Sequence, residues 1–191
     1  MRCILLLILS GVSACYAQLS PKGHAALQTL PVSDVLIQPG DITVESFHGE
    51  DKGGKIETVA GKDAGQPSTV RITVAGKCKN IWDVGMGTLC PKGIEKDDVV
   101  LATFWARSLS EDKMKGAEVQ AVFRRATKPY KHSLSTTLQI AEDWHCYALP
   151  FSPSYALAAE EGRFYLQFGM RKQALAIREI ALWNFRKTVS L

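Results

Sequence analysis

From Val100 to Phe185 the chain keeps one hydrophobic period, and that period is two. In VVLATFWARSL, Val100, Ala102, Phe104 and Ala106 fall on one side, and Leu101, Thr103, Trp105 and Arg107 on the other. AEVQAVFRR sets Val119, Ala121 and Phe123 against Glu118, Gln120, Val122 and Arg124. FYLQFGM sets Phe164, Leu166, Phe168 and Met170 against Tyr165, Gln167 and Gly169. Side chains of a pleated strand alternate between its faces, so each run predicts a strand with one buried side. The phase is fixed, because a one-residue slip would bury Gln and Arg and expose Phe.

LSTTLQIA, EDWHCYALPF and LAIREIALWNF read as further strands, and YALAAEEG is the one stretch able to hold a helical turn. Upstream, TVRITVAG places Val70, Ile72 and Val74 on one face, KIETVA reads as a short strand, and DITVESF (Asp41 to Phe47) reads as the first. The Gly-rich stretch from Lys77 to Gly93 reads as a strand broken by glycines, with Trp82 in a loop. Closely spaced turns between alternating strands, with no amphipathic helix, predict an all-β jelly-roll sandwich. Two facing sheets bury the alternate apolar side chains, which leaves the outer face of one sheet for a ligand.

A chain of 191 residues can bury a core for one domain. The net charge of +4 falls to +3 if the leader, with Arg2, is removed. The excess is scattered and forms no basic stripe with interleaved aromatics, which argues against nucleic acid.

Residues 1–17, MRCILLLILSGVSACYA, read as a signal peptide, with an apolar run too short to span a membrane. Ala17 suits an ordinary signal peptidase. Val12-Ser13-Ala14-Cys15 resembles a lipobox, which would make Cys15 a lipid anchor. Plain secretion ranks ahead, and either route leads to a secreted or periplasmic protein with no transmembrane segment in the mature chain. Residues 18–40, with Pro21, Pro31 and Pro39, read as a lead-in, and residues 41–187 as the domain. Beyond the leader stand Cys78, Cys90 and Cys146. A Cys78–Cys90 bridge and three buried thiols are both open readings.

GQPSTVRITVAGK, NIWDVGM, VVLATFWARS, EDWHCYALPF and FGMRKQALAIREIALWNF follow one another from Gly65 to Phe185. In that order they resemble the carbohydrate-binding modules of the family 4/9 type, which have a galactose-binding-like jelly roll. The resemblance implies a non-catalytic module for a poly- or oligosaccharide. It also implies, as a partner, a glycoside hydrolase or esterase acting on the same glycan. Two positions depart from the pattern. Gly85 stands where a polar residue, often Gln, follows the WDV-like triplet, and Arg178-Glu179 replaces an Asp pair in the last strand. The resemblance also implies a structural calcium between first and last strands, for which Glu45 and Glu179 are the acids to name.

A sugar needs an aromatic face for its C–H groups and planar polar side chains for its hydroxyls. Trp105 and Arg107 share a strand face, and Gln120 and Gln167 point outward from other strands. The expectation is that these four converge on one concave sheet, the other reading being a plain polar sheet with Trp105 packed under a loop; Trp82 is either a platform at the rim or a plug against the sheet edge. Trp144 and Trp183 read as packing. Asp97-Asp98, Glu142-Asp143 and Glu160-Glu161 read as solvated acids rather than a glycosidase pair. There is no GxSxG for a serine esterase, and the histidines lack metal-ligand spacing. The alternative to sugar binding is a cell-envelope interaction module whose jelly roll has lost its sugar site.

Overall fold

The computed structural model describes residues 17–19, 34–38, 47–60, 67–111 and 116–187. The leader up to residue 16, with Cys15, and Glu45 lie outside these residues, as does all but Phe47 of the expected strand Asp41 to Phe47. The strands in chain order are β1 (Ala17–Leu19), β2 (Asp34–Ile37), β3 (Gly54–Val59), β4 (Thr69–Val74), β5 (Gly85–Leu89), β6 (Val100–Ser108), β7 (Ala117–Arg125), β8 (His132–Ile140), β9 (His145–Phe151), β10 (Gly162–Gln167) and β11 (Gln173–Asn184). They form two antiparallel sheets. Seven strands run β1-β9-β6-β11-β4-β3, with β2 also on β11, and four run β5-β10-β7-β8. This is a jelly-roll β-sandwich, the all-β class that the alternation predicts. The sheet begins ahead of Asp41, since β2 pairs with β11 inside the stretch read as a lead-in and β1 pairs with β9 across the boundary between the stretches read as leader and lead-in. YALAAEEG holds no helix; it is a loop with a bridge from Leu157 to Ile94.

The inner faces carry the core. Phe104, Ile72, Leu175 and Ile177 come from the larger sheet, and Val119, Phe123, Phe164 and Leu166 from the smaller. Phe123 of β7 meets Phe151 of β9 across the interior, ring centroids 5.0 Å apart. Tyr147, fully buried on β9, stacks on Phe104 and donates its hydroxyl to the Gln139 carbonyl of β8, 3.2 Å away. A buried phenol needs such a partner, and here the bond also ties the two sheets together. Met170, expected inward, lies past the end of β10 and is half-buried.

At one end Asp98, almost fully buried, accepts from the Glu95 amide, the Asn184 amide and the Arg186 guanidinium. Arg186 also pairs with Asp34 of β2. This cluster fixes β2 against the end of β11.

The three thiols are free. Cys78 lies against Gly169, beyond the end of β10, and Cys90 against Gly162 at its start. The strand between them spans about 20 Å, so the Cys78–Cys90 bridge does not form. Burial pushes Cys90 up to about 11 and Cys146 up to about 12.

Candidate functional site

β6 and β7 are consecutive in sequence but lie in different sheets. That separates the residues expected together. Trp105 and Arg107 point outward from the seven-stranded sheet, and Gln120 and Gln167 outward from the four-stranded one. The expected convergence of the four on one sheet does not occur. Alternation fixes the face of a strand but not the sheet to which the strand belongs.

On the outer side of the seven-stranded sheet, Trp105 packs with Leu101, Cys146 and Phe185, flanked by Trp144 and Trp183. It is only 8% exposed. Arg178 lies over Trp105 at 5.5 Å and over Trp144 at 4.4 Å, and Arg107 over Trp144 at 5.3 Å. Cation–π contacts of this kind fasten a packed layer. They leave Trp105 with no open ring face for a sugar. Glu179 sits in a bulge of β11 at φ 53°, and no cluster of three metal-ligating side chains occurs among the described residues.

The outer side of the four-stranded sheet is built differently. Gly85, Gln167, Gln120 and Thr137 form one row across β5, β10, β7 and β8. Gln120 donates to Ser135 Oγ at 3.4 Å. Gln167 as a residue is 7% exposed; among the described residues its amide bonds to no protein group and is not sealed from solvent. A second row places Gly87, Tyr165, Val122 and Ser135 side by side, and a third brings Leu89, Arg163 and Arg124 together beside His132.

Two glycines shape this face. A Cβ on Gly87 would stand 2.5 Å from Cδ1 of Tyr165, so the tyrosine ring lies against the bare backbone of β5. A Cβ on Gly85 would stand 3.1 Å from Cε1 of His48, whose ring takes the space that a polar residue would fill. The departure seen at Gly85 therefore has a local cause: His48 replaces the missing side chain. His48 Nε2 also lies 2.7 Å from the Trp82 carbonyl.

Trp82 stands in a 3-10 turn, Ile81–Asp83, just before β5. The turn is closed by Asp83, whose carboxylate accepts from the Asn80 backbone amide at 2.9 Å and from its side-chain amide at 3.1 Å. Those bonds hold the Asp83 carboxyl below the usual carboxylate range. The turn is fastened to the end of β10 by the Gly169 amide bonding the Ile81 carbonyl at 3.0 Å. Trp82 is 59% exposed. At the far end of the face, Tyr130 in the β7–β8 loop is 48% exposed, and Leu89 of β5 is open as well. Three of the four large exposed hydrophobic residues among the described residues thus border this one face.

His48, Tyr130, Tyr165, Arg124 and Arg163 were missed as members of the site. The signal for two was present, since the alternation puts Arg124 in phase with Gln120 and Tyr165 in phase with Gln167. His48 and Tyr130 are loop residues that no periodicity marks. The acid pairs form no cleft: Asp98, expected solvated, is buried with its Oδ2 accepting from Glu95, Asn184 and Arg186, and Glu161 caps its own loop by accepting from the Ala158 amide. A hollow at the edge of the sandwich, near Thr73, Ser110 and Arg171, has Gln173 in its wall. That amide is fully used by Glu118 and the Phe168 carbonyl.

The backbone is similar to those of solved carbohydrate-binding modules. The N-terminal cellulose-binding domain of Cellulomonas fimi β-1,4-glucanase C aligns at 18% identity and a TM-score of 0.56, over 85% of this chain and all of that one. The CBM22-1 xylan-binding domain of Paenibacillus barcinonensis Xyn10C aligns at 13% identity and 0.54, over 82% and 98%. A CBM4 structure aligns at 10% identity and 0.55, over 80% and 96%. At these identities the likeness shows the fold alone, a jelly roll. No protein-family model matches the chain, and no curated protein matches it in sequence.

Proposed function

We propose that the chain is a non-catalytic carbohydrate-binding module that takes a poly- or oligosaccharide on the outer face of the four-stranded sheet. The observation that carries this reading is the Gln167 amide, which reaches the surface in the middle of that face and is bonded to no protein group among the described residues. An amide whose donor and acceptor are both unspent and open to solvent is available to a ligand. A sugar hydroxyl, which both donates and accepts, satisfies it. Gln120 stands beside it, and Trp82 and Tyr130 offer exposed rings at the two ends. The fold supports the reading, because neighbours with this backbone are described as cellulose- and xylan-binding domains.

Trp105 and Arg107 have no part in this site. The partner enzyme, if any, is a glycoside hydrolase or esterase that works on the same glycan. Among the described residues no helix is long and apolar enough to cross a membrane. The leader-like residues 1–17 favour export, with Cys15 as a point for lipid attachment. Affinity electrophoresis through a polysaccharide panel tests the proposal, with Trp82→Ala run alongside. Retardation by a glycan class, weakened by the substitution, is expected. A folded protein that no glycan retards would transfer the face to a protein partner in the cell envelope.

A further inference from the structure

The glycan face is not evenly charged, and its cationic end has no acid of its own. Glu118 is the one carboxylate among the outward residues of the four strands. It lies at the opposite end, bonded by the Gln139 amide at 2.7 Å and paired with Arg171 at 3.7 Å. At the other end stand Arg124 and Arg163, with Arg125, Lys128 and Lys131 in and beside the β7–β8 loop. Among the described residues none of these five cations has a carboxylate within ion-pair distance. Glu160 and Glu161 are near in sequence, but Glu161 is turned to its own loop and Glu160 pairs with no cation.

Aromatic rings take the place of acids here. The Arg124 guanidinium lies between two tyrosines, 4.2 Å from the Tyr130 ring and 4.7 Å from the Tyr165 ring. Arg163 lies 5.5 Å from Tyr165 and donates to its hydroxyl at 3.0 Å. Stacking uses the faces of a guanidinium and leaves its in-plane N–H groups free. Among the described residues Arg124 bonds to no protein acceptor through those groups. A planar cation placed by two tyrosine rings, with no protein acceptor on its fork, can meet an oxyanion bidentately. A neutral hydroxyl would not repay the desolvation of two adjacent cations.

Resting on the proposed sugar-binding function, we infer that the glycan is acidic. Arg124 and Arg163 take a carboxylate or sulfate group of one residue while Gln167 and Gln120 bind the hydroxyls of another residue farther along the same glycan. The two pairs lie on β7 and β10 about 13 Å apart along the strands, the reach of two to three sugars.

The test uses the full chain in affinity gels containing polygalacturonate, its methyl ester, a sulfated galactan and neutral xylan, with poly-glutamate as a non-sugar anion. Arg124→Gln and Arg163→Gln are run beside the wild type, with a thermal melt to confirm folding. The expected result is binding to one acidic glycan about tenfold tighter than to its neutral counterpart. That margin should shrink with added salt and vanish in either variant that melts normally. Preference for polygalacturonate assigns a carboxylate, and preference for the sulfated galactan a sulfate. Equal binding of acidic and neutral glycans would overturn the inference while sparing the sugar-binding function. So would equal binding of poly-glutamate, which would mark a general polyanion surface. No binding to any glycan would overturn both.

Discussion

The two outer faces of this sandwich use the same side chains to opposite ends. On the seven-stranded sheet three tryptophans and two arginines close over one another, and Trp105 is sealed. On the four-stranded sheet arginines stack on tyrosines, yet Trp82, Tyr130 and Leu89 remain open and the Gln167 amide has no protein partner among the described residues. The difference comes from what lies beneath the rings. On the smaller sheet Gly85 and Gly87 leave bare backbone on which His48 and Tyr165 lie flat, so the face stays low. On the larger sheet Leu101, Ala148 and Ala181 form an apolar layer that gathers the tryptophans into a second small core. A tryptophan in a strand is therefore a poor guide to a sugar site unless its ring is open.

The largest expected effect lies on the sealed face. Trp105→Ala should cost about 3–5 kcal/mol of stability in urea unfolding, as for other large aromatic truncations, while the folded fraction keeps its glycan affinity. The open face should respond the other way. Gln167→Ala should weaken glycan binding about tenfold by titration calorimetry in protein that still melts cooperatively. Gly87→Ala joins the two quantities: its Cβ would collide with the Tyr165 ring, costing about 1–3 kcal/mol and displacing Arg124 with it. Melting temperature and affinity should therefore fall together.

A smaller effect concerns pH. Arg186 beside Asp34 holds that carboxyl below its ordinary value. A depressed carboxyl stabilises the fold above its unfolded pKa, and the contribution is lost as pH falls through the folded value. Arg186→Gln should accordingly flatten the loss of stability below about pH 4, read from melts across pH, without touching glycan binding. The smallest effect is chemical. Cys90 and Cys146 are buried, with thiols near 11 and 12, so a thiol reagent should modify them only on unfolding, as mass spectrometry would show.

Much of the fold was legible in the chain. The phases of β4, β6, β7 and β10 follow from alternation alone, because a single core makes any other phase expose Phe104, Phe123 or Phe164. The site was half legible. Gln120 and Gln167 stand on the outer face that alternation assigns to them, and they belong to the proposed site because that face is open. Trp105 and Arg107 stand on an outer face too but belong to the other sheet, a fact set by the crossover between β6 and β7. No local pattern records that crossover. His48 was hidden for a different reason: its role exists only because Gly85, distant in sequence, has no side chain.

The account rests on which outer face binds sugar, and one comparison decides it. Gln167→Ala and the milder Trp105→Phe are run with the wild type through gels containing the retarding glycan. Loss of retardation in Gln167→Ala with full retardation in Trp105→Phe is the predicted result. Full retardation in Gln167→Ala with loss in a folded Trp105→Phe would place the ligand on the seven-stranded sheet and contradict the account.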